Sequence, residues 1–176
     1  IIDPWTVQIK HADGTTQRLT TRSIIIAAGA RPFVPPLQDL DQVNYLTSDT
    51  LWDAFAQMDR IPKRIVVLGG GPIGCELAQA FARLGSTLIQ IEQGTRIMPR
   101  EDADVSAFAQ QRLEADGVQI LTEHQSLRCE RDGDVKKMIV SHHGVERVIE
   151  FDALIVAVGR QARLTGYGLE NLGIPT

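Results

Sequence analysis

The sequence predicts an α/β fold: a parallel sheet layered with helices, followed by an antiparallel β-meander. Three observations carry this. Apolar, β-branched runs at 24–29, 65–68 and 152–158 have the pattern of strands buried on both faces. Stretches with apolar residues at i, i+3, i+4 and i+7 are interleaved with strands. Three short strand-like segments separated by polar turns then fill 126–150.

In chain order, residues 5–10 alternate apolar and polar as a half-buried strand does. Asp13-Gly14 turns the chain into a returning strand at 17–20. The run 24–29, Ile-Ile-Ile-Ala-Ala-Gly, predicts a strand covered on both sides. Pro32, Pro35 and Pro36 exclude regular structure, so 31–46 is expected to connect structural units. Thr47-Ser48-Asp49 can cap a helix whose apolar face is Leu51, Ala54, Phe55 and Met58, stopped by Pro62. A second buried strand at 65–68 runs into Gly69-Gly70-Gly71-Pro72-Ile73-Gly74. Leu77, Ala80, Phe81 and Leu84 then repeat helical spacing, and Gly85 occupies the position just past a helix end. A third strand, 88–91, ends at Glu92, so 65–92 make one strand–helix–strand unit. Asp102 and Asp104 open another helix with Val105, Phe108, Ala109 and Leu113 facing inward, closed by Asp116-Gly117. A fourth strand, 118–121, is expected to run parallel to the previous two. The meander occupies 126–131, 136–141 and 145–150, and a last apolar strand leads into Gly159-Arg160.

Composition removes several function classes. The chain has 176 residues, 43% hydrophobic and 23% charged, the balance of an ordinary globular protein rather than a disordered one. Its net charge of −4 carries no basic excess for nucleic acid, and no Lys/Arg run marks a membrane-surface segment. The longest apolar run, 24–28, is too short to span a bilayer. The start, Ile-Ile-Asp-Pro-Trp, has neither Met nor a signal sequence and falls in mid-pattern, so an excised fragment is expected. The two cysteines, Cys75 and Cys129, have no metal or redox spacing, which points to a reducing, cytoplasmic setting.

The strongest chemical signal is Gly69-x-Gly71-x-x-Gly74 between a strand and a helix. Gly69 permits the tight turn. Gly71 lets a pyrophosphate lie against the backbone, and Gly74 lets the helix pack closely. The helix N-terminus offers free N–H groups and a positive dipole end to phosphates. Glu92, at the end of the next strand, suits the adenosine ribose hydroxyls and repels a 2′-phosphate, which favours NAD over NADP. Arg96 and Arg100 pull the other way. Glu76, in the first turn of the helix, reads either as a helix-dipole acid or as an acid with a partner of its own. Cys75 reads as a packed small residue without a nearby base. Adjacent His142 and His143 on a strand would point to opposite faces, so no metal site is expected.

With these residues on the page, the chain resembles the pyridine nucleotide-disulfide oxidoreductases. The resemblance lies in the segment from Arg64 to Ala78, in Ile24-Ile-Ile-Ala-Ala-Gly-Ala-Arg-Pro, and in Leu154-Ile-Val-Ala-Val-Gly-Arg. The last two are similar to the family's paired Ala-Thr-Gly-type segments, with Ala28 and Val158 where Thr is usual. The subgroup it most resembles contains dihydrolipoamide dehydrogenase and mercuric reductase. The resemblance implies a Rossmann-like, three-layer NAD(P)-binding domain at 36–155, flanked by partial FAD-domain segments at 1–35 and 156–176. It implies a nicotinamide dinucleotide held by Gly69, Gly70, Gly71, Pro72, Ile73, Gly74, Glu76, Glu92, Ser126 and Gly159, with Glu76 near the nicotinamide and Ser126 near the adenine. It implies FAD contacts from Ala28, Gly29 and Ala30. The parent enzyme would be a homodimer that moves hydride from NAD(P)H to FAD and on to a disulfide or related acceptor. A relative of NADH oxidases or ferredoxin reductases, lacking a redox disulfide, is the alternative. The family's first glycine motif, its Cys-x4-Cys pair and its dimerisation domain have no counterpart in this sequence. No catalytic residue is therefore expected here, and the fragment alone is expected to be inactive.

Overall fold

A computed structural model of the protein describes residues 1–175. Thr176, the last residue of the expected return segment, lies outside them. The strands are β1 (Thr6–Lys10), β2 (Thr16–Thr20), β3 (Ala30–Pro32), β4 (Leu46–Thr47), β5 (Arg64–Leu68), β6 (Thr87–Ile91), β7 (Val118–Leu121), β8 (Gln125–Asp132), β9 (Val135–His142), β10 (Val145–Phe151), β11 (Ala153–Val156) and β12 (Arg160–Ala162). The helices are α1 (Leu51–Ala56), α2 (Pro72–Arg83) and α3 (Ala103–Ala115). The backbone forms two compact units, Ile1–Arg31 with the chain from Gln161 onward, and Pro32–Arg160.

The larger unit has three layers. A five-stranded parallel sheet in the order β4-β11-β5-β6-β7 forms the middle. Its strands are short and almost wholly apolar because both faces are covered. On one face lie α1, α2 and α3, whose Leu51, Leu77, Ala78, Phe81 and Leu113 pack on Ile65, Val67, Leu88 and Ile155. On the other lies the antiparallel meander β10-β9-β8, whose Cys129, Met138, Val140, Ile149 and Phe151 pack on Val66, Leu68, Ile91 and Leu154. The parallel register sets Val156, Leu68, Ile91 and Leu121 in one row, so four strands end together at the carboxyl edge. The chain runs from β5 outward through β6 and β7, then returns to β11 on the other side of β5. That reversal is where open α/β sheets leave a crevice for ligands.

Several expectations need correction. Residues 24–29 form no strand, and Ile25 is 90% exposed. Buried-strand composition becomes a strand only when neighbours pair with its edges, and among the described residues none does. Residues 31–46 are not wholly irregular: Leu40–Val43 form a 3-10 turn that buries Leu40 and Val43, and Leu46–Thr47 add an edge strand. The first helix is capped at Thr50, not within 47–49, and ends at Ala56, leaving Met58 beyond it and exposed. In α3 the inward residues are Ser106, Ala109 and Leu113. Val105 and Phe108 face outward at 45% and 59% exposure, Phe108 beneath the Arg112 guanidinium. The Ser106 hydroxyl explains the rotation, because it donates to the Ile97 carbonyl at 2.7 Å and draws its own face inward.

In the smaller unit, β1 and β2 form the expected hairpin, with Thr6 opposite Thr20 and Lys10 opposite Thr16. No helix among the described residues is long and apolar enough to cross a membrane.

Candidate functional site

The site begins at the residue that follows β5. Gly69 has φ +114°, a conformation costly for any side chain, and a Cβ there would strike the Ala157 carbonyl. Its N–H donates to the Ile91 carbonyl at 2.8 Å, holding the turn onto β6. At Gly74 a Cβ would strike the Gly69 carbonyl oxygen, so the first turn of α2 can close on the loop only without a side chain. Gly71 caps α2 with extended backbone, Pro72 opens it, and a Cβ on Gly71 would meet nothing within 4 Å. The three glycines thus differ physically: two are locked by close approach, and the middle one faces open space at a helix N-terminus.

Glu92 follows β6 and is half-buried. Its Oε2 accepts the Gly70 N–H at 2.7 Å and its Oε1 accepts the Gly94 N–H at 2.6 Å. A Cβ on Gly70 would meet the Glu92 carboxylate at 2.7 Å, so Gly70 is small because the acid lies on it. An ionised carboxylate has about four lone-pair directions, so each oxygen keeps one for a ligand. The loop after Glu92 folds back over the glycines, with the Met98 N–H on the Gly70 carbonyl at 2.6 Å. Arg96 donates to the carbonyls of Pro99 and Glu101, so its guanidinium is engaged by its own loop. Arg100 is exposed.

Glu76 is exposed and sits beyond the first turn of α2, because that helix starts at Pro72. Ile73 is half-buried against the helical side of the core. Cys75 is buried; loss of solvent pushes its thiol up, opposed by the Gln90 amide 3.5 Å away. Cys129, also buried, is pushed up to about 11 by burial. Both are free and remain protonated at neutral pH.

Gly159 has φ +135° and open space at its Cβ position, and its carbonyl accepts the Phe33 N–H at 2.9 Å. Ser126 begins the meander, half-buried, with its hydroxyl on the Met138 sulfur at 3.7 Å. The sheet edge therefore gathers Gly69 to Gly74 and Glu92, with Gly159 two residues past the carbonyl that abuts Gly69. Ala28 and Gly29 lead into β3, which Ala30 opens, with Gly29 at φ +72° and its carbonyl accepting the Arg163 N–H at 3.0 Å.

One residue at this edge escaped sequence reading. Gln90 is fully buried in β6, and its amide N–H donates to the Gly69 carbonyl at 3.0 Å while its Oε1 has no partner. A lone amide in an otherwise apolar strand, two residues ahead of the acid, was the available signal.

The profile of the pyridine nucleotide-disulphide oxidoreductases matches residues 1–176. The chain belongs to this family. It is 33% identical over 175 residues to a mercuric reductase of Lysinibacillus sphaericus, covering 99% of this chain and 30% of that one. It is 38% identical over 152 residues to a dihydrolipoyl dehydrogenase of Bacillus subtilis, covering 86% of this chain and 32% of that one. Among solved structures it resembles an HOCl-induced flavoprotein disulfide reductase of Escherichia coli, with a TM-score of 0.78 at 27% identity, over 99% of this chain and 38% of that one. The chain thus spans about a third of the length of the relatives it matches. The Rossmann-like, three-layer fold is shared with them.

Proposed function

We propose that residues 32–160 bind NADH in preference to NADPH along the carboxyl edge of the parallel sheet. The protein carrying this chain then passes hydride from the nicotinamide to FAD and on to a disulfide or related acceptor. The observation that carries the reading is the open space over Gly71 at the α2 N-terminus, flanked by Glu92 with two free lone-pair directions. The dinucleotide supplies the hydride and FAD receives it. This chain's own residues bind and orient. The α2 N–H groups and dipole hold the pyrophosphate against the bare Gly71 backbone. Glu92 accepts the adenosine ribose hydroxyls and opposes a 2′-phosphate. Ser126 lies on the adenine side. Glu76, Gly159 and the exposed start of α2 form the nicotinamide side, and Glu76 pairs with a Lys of the FAD domain. Ala28, Gly29 and Ala30 contribute to the FAD site, and the parent is a homodimer. Two free cysteines suit a reducing compartment such as the cytoplasm.

Gly71→Val tests the site. A Cβ there enters open space, where the pyrophosphate is proposed to lie. Calorimetric titration of the intact protein should show NADH binding lost while the unfolding temperature is unchanged. Unaltered affinity would remove the dinucleotide from this loop.

A further inference from the structure

Three of the protein's four histidines meet at one end of the meander. β9 ends at His142 and β10 begins at Val145, so His143 and Gly144 form a two-residue turn. Both have positive φ, 50° and 82°, as the tight hairpin turn between twisted strands requires. His143 therefore leaves the alternation of the strand, and its ring comes beside that of His142, with centroids 4.1 Å apart. The expectation that the pair points to opposite faces fails at this residue.

The β8–β9 register brings two further side chains. Gln125 lies opposite Ser141. Carried one step outward, that register sets His124 opposite His142, and the rings stack at 4.5 Å and 4°. Glu123, at φ 57°, comes before His124 in the chain and joins the two adjacent histidines. One carboxylate oxygen of Glu123 and one ring nitrogen each of His142 and His143 lie within 4.8 Å of one another. His124 is held by a 2.6 Å hydrogen bond between Nδ1 and the Thr122 carbonyl, which can only accept. The stacked, anchored ring fixes the plane of His142. Gln93, Thr95 and Gln125 line an open groove beside the cluster.

We propose that Glu123, His142 and His143 bind a divalent transition-metal ion of the Zn²⁺ type, with water completing its coordination. Two imidazole nitrogens and one carboxylate oxygen form a donor set suited to Zn²⁺, Ni²⁺ and Cu²⁺ rather than to Mg²⁺ or Ca²⁺. With bonds of about 2.1 Å, a tetrahedral ion sets its ligand atoms about 3.4 Å apart. Small rotations of Glu123 and His143, both exposed, close the remaining distance. The site is independent of the dinucleotide reading.

The probe is zinc chloride, titrated calorimetrically into the intact protein in a non-chelating buffer without nucleotide, so that no phosphate competes. Wild type should bind one more Zn²⁺ per chain than a variant carrying His142→Asn and His143→Asn, in which that site weakens about tenfold or more. Asn tolerates the left-handed backbone at 143, which keeps the turn intact. Glu123→Gln, which retains all the rings, should weaken the same site. Equal stoichiometry and affinity in wild type and either variant would overturn the proposal. So would the lack of saturable wild-type binding up to millimolar Zn²⁺.

Discussion

Glu92 combines support and recognition in one side chain. Its two bonds to Gly70 and Gly94 shape the loop, and its remaining lone pairs face the proposed ribose position. Charge-assisted hydrogen bonds of this kind contribute roughly 1.5–3 kcal/mol each, and about 1.4 kcal/mol is already a tenfold preference. NADH should therefore bind at least about tenfold more tightly than NADPH. Glu92→Ala should narrow that gap and weaken NADH itself, because the loop also loses its anchor. Paired dissociation constants at low and moderate salt measure this, and equal wild-type constants would pass control of the site to Arg96 or Arg100. The engaged guanidinium of Arg96 argues against that outcome. The glycines and Glu92 were legible because a fixed chemical task dictates residue type at fixed spacing. Gln90 was not, since strand composition says nothing of which amide will meet a buried carbonyl. His143 was misplaced because a two-residue turn suspends the period on which the strand rule depends.

At the scale of elements, the sheet's amino-terminal edge is clasped where β5 meets the turn into β11. Asp152 accepts the Arg64 backbone N–H at 2.8 Å and two guanidinium N–H groups at 2.8 and 3.2 Å, while Glu150 takes a fourth bond at 3.0 Å. The Arg64 guanidinium holds the Asp152 carboxyl below its ordinary value of 3.8. A depressed carboxyl contributes stability above its unfolded value and loses it as pH falls through the folded one. Asp152→Asn should thus destabilise the wild type near neutrality by no more than about 1 kcal/mol, since the pair is partly exposed. The difference should shrink as pH falls below 3.8 and through the lowered folded value. Urea unfolding at several pH values reads it out, and a pH-independent difference would leave the backbone bond, not the charge, as the cause. Elements whose pattern is completed locally were well foreseen: β5, α2, β6, β7 and the meander lie where the residues place them. Those that depend on distant partners were not. Residues 24–29 have strand composition and no strand, and β4 has two residues whose role comes from β11.

At the scale of the whole molecule, the two units differ in how far each closes its own core. Both apolar clusters, on either face of the parallel sheet, are built from residues between Leu40 and Val156. Among the described residues of the smaller unit Leu169 is the one buried apolar side chain, while Trp5, Leu19, Ile25, Ile26 and Leu164 are exposed. The segment 32–160 has the glycine loop, Glu92, Ser126 and Gly159, together with every buried residue that supports them. The proposed FAD contacts, Ala28, Gly29 and Ala30, lie outside that segment. A segment cut at 32 and 160 should therefore unfold cooperatively and bind NADH within about threefold of the 176-residue chain, a difference below about 1 kcal/mol. Neither should purify with stoichiometric flavin absorbance, because three backbone contacts cannot hold a dinucleotide against its lost freedom. Calorimetry on the two chains and a visible spectrum of each decide the matter. A yellow 176-residue chain would mean that the flavin site is more nearly complete than these contacts imply. A shortened segment that folds but no longer binds NADH would place part of the nucleotide site in the smaller unit.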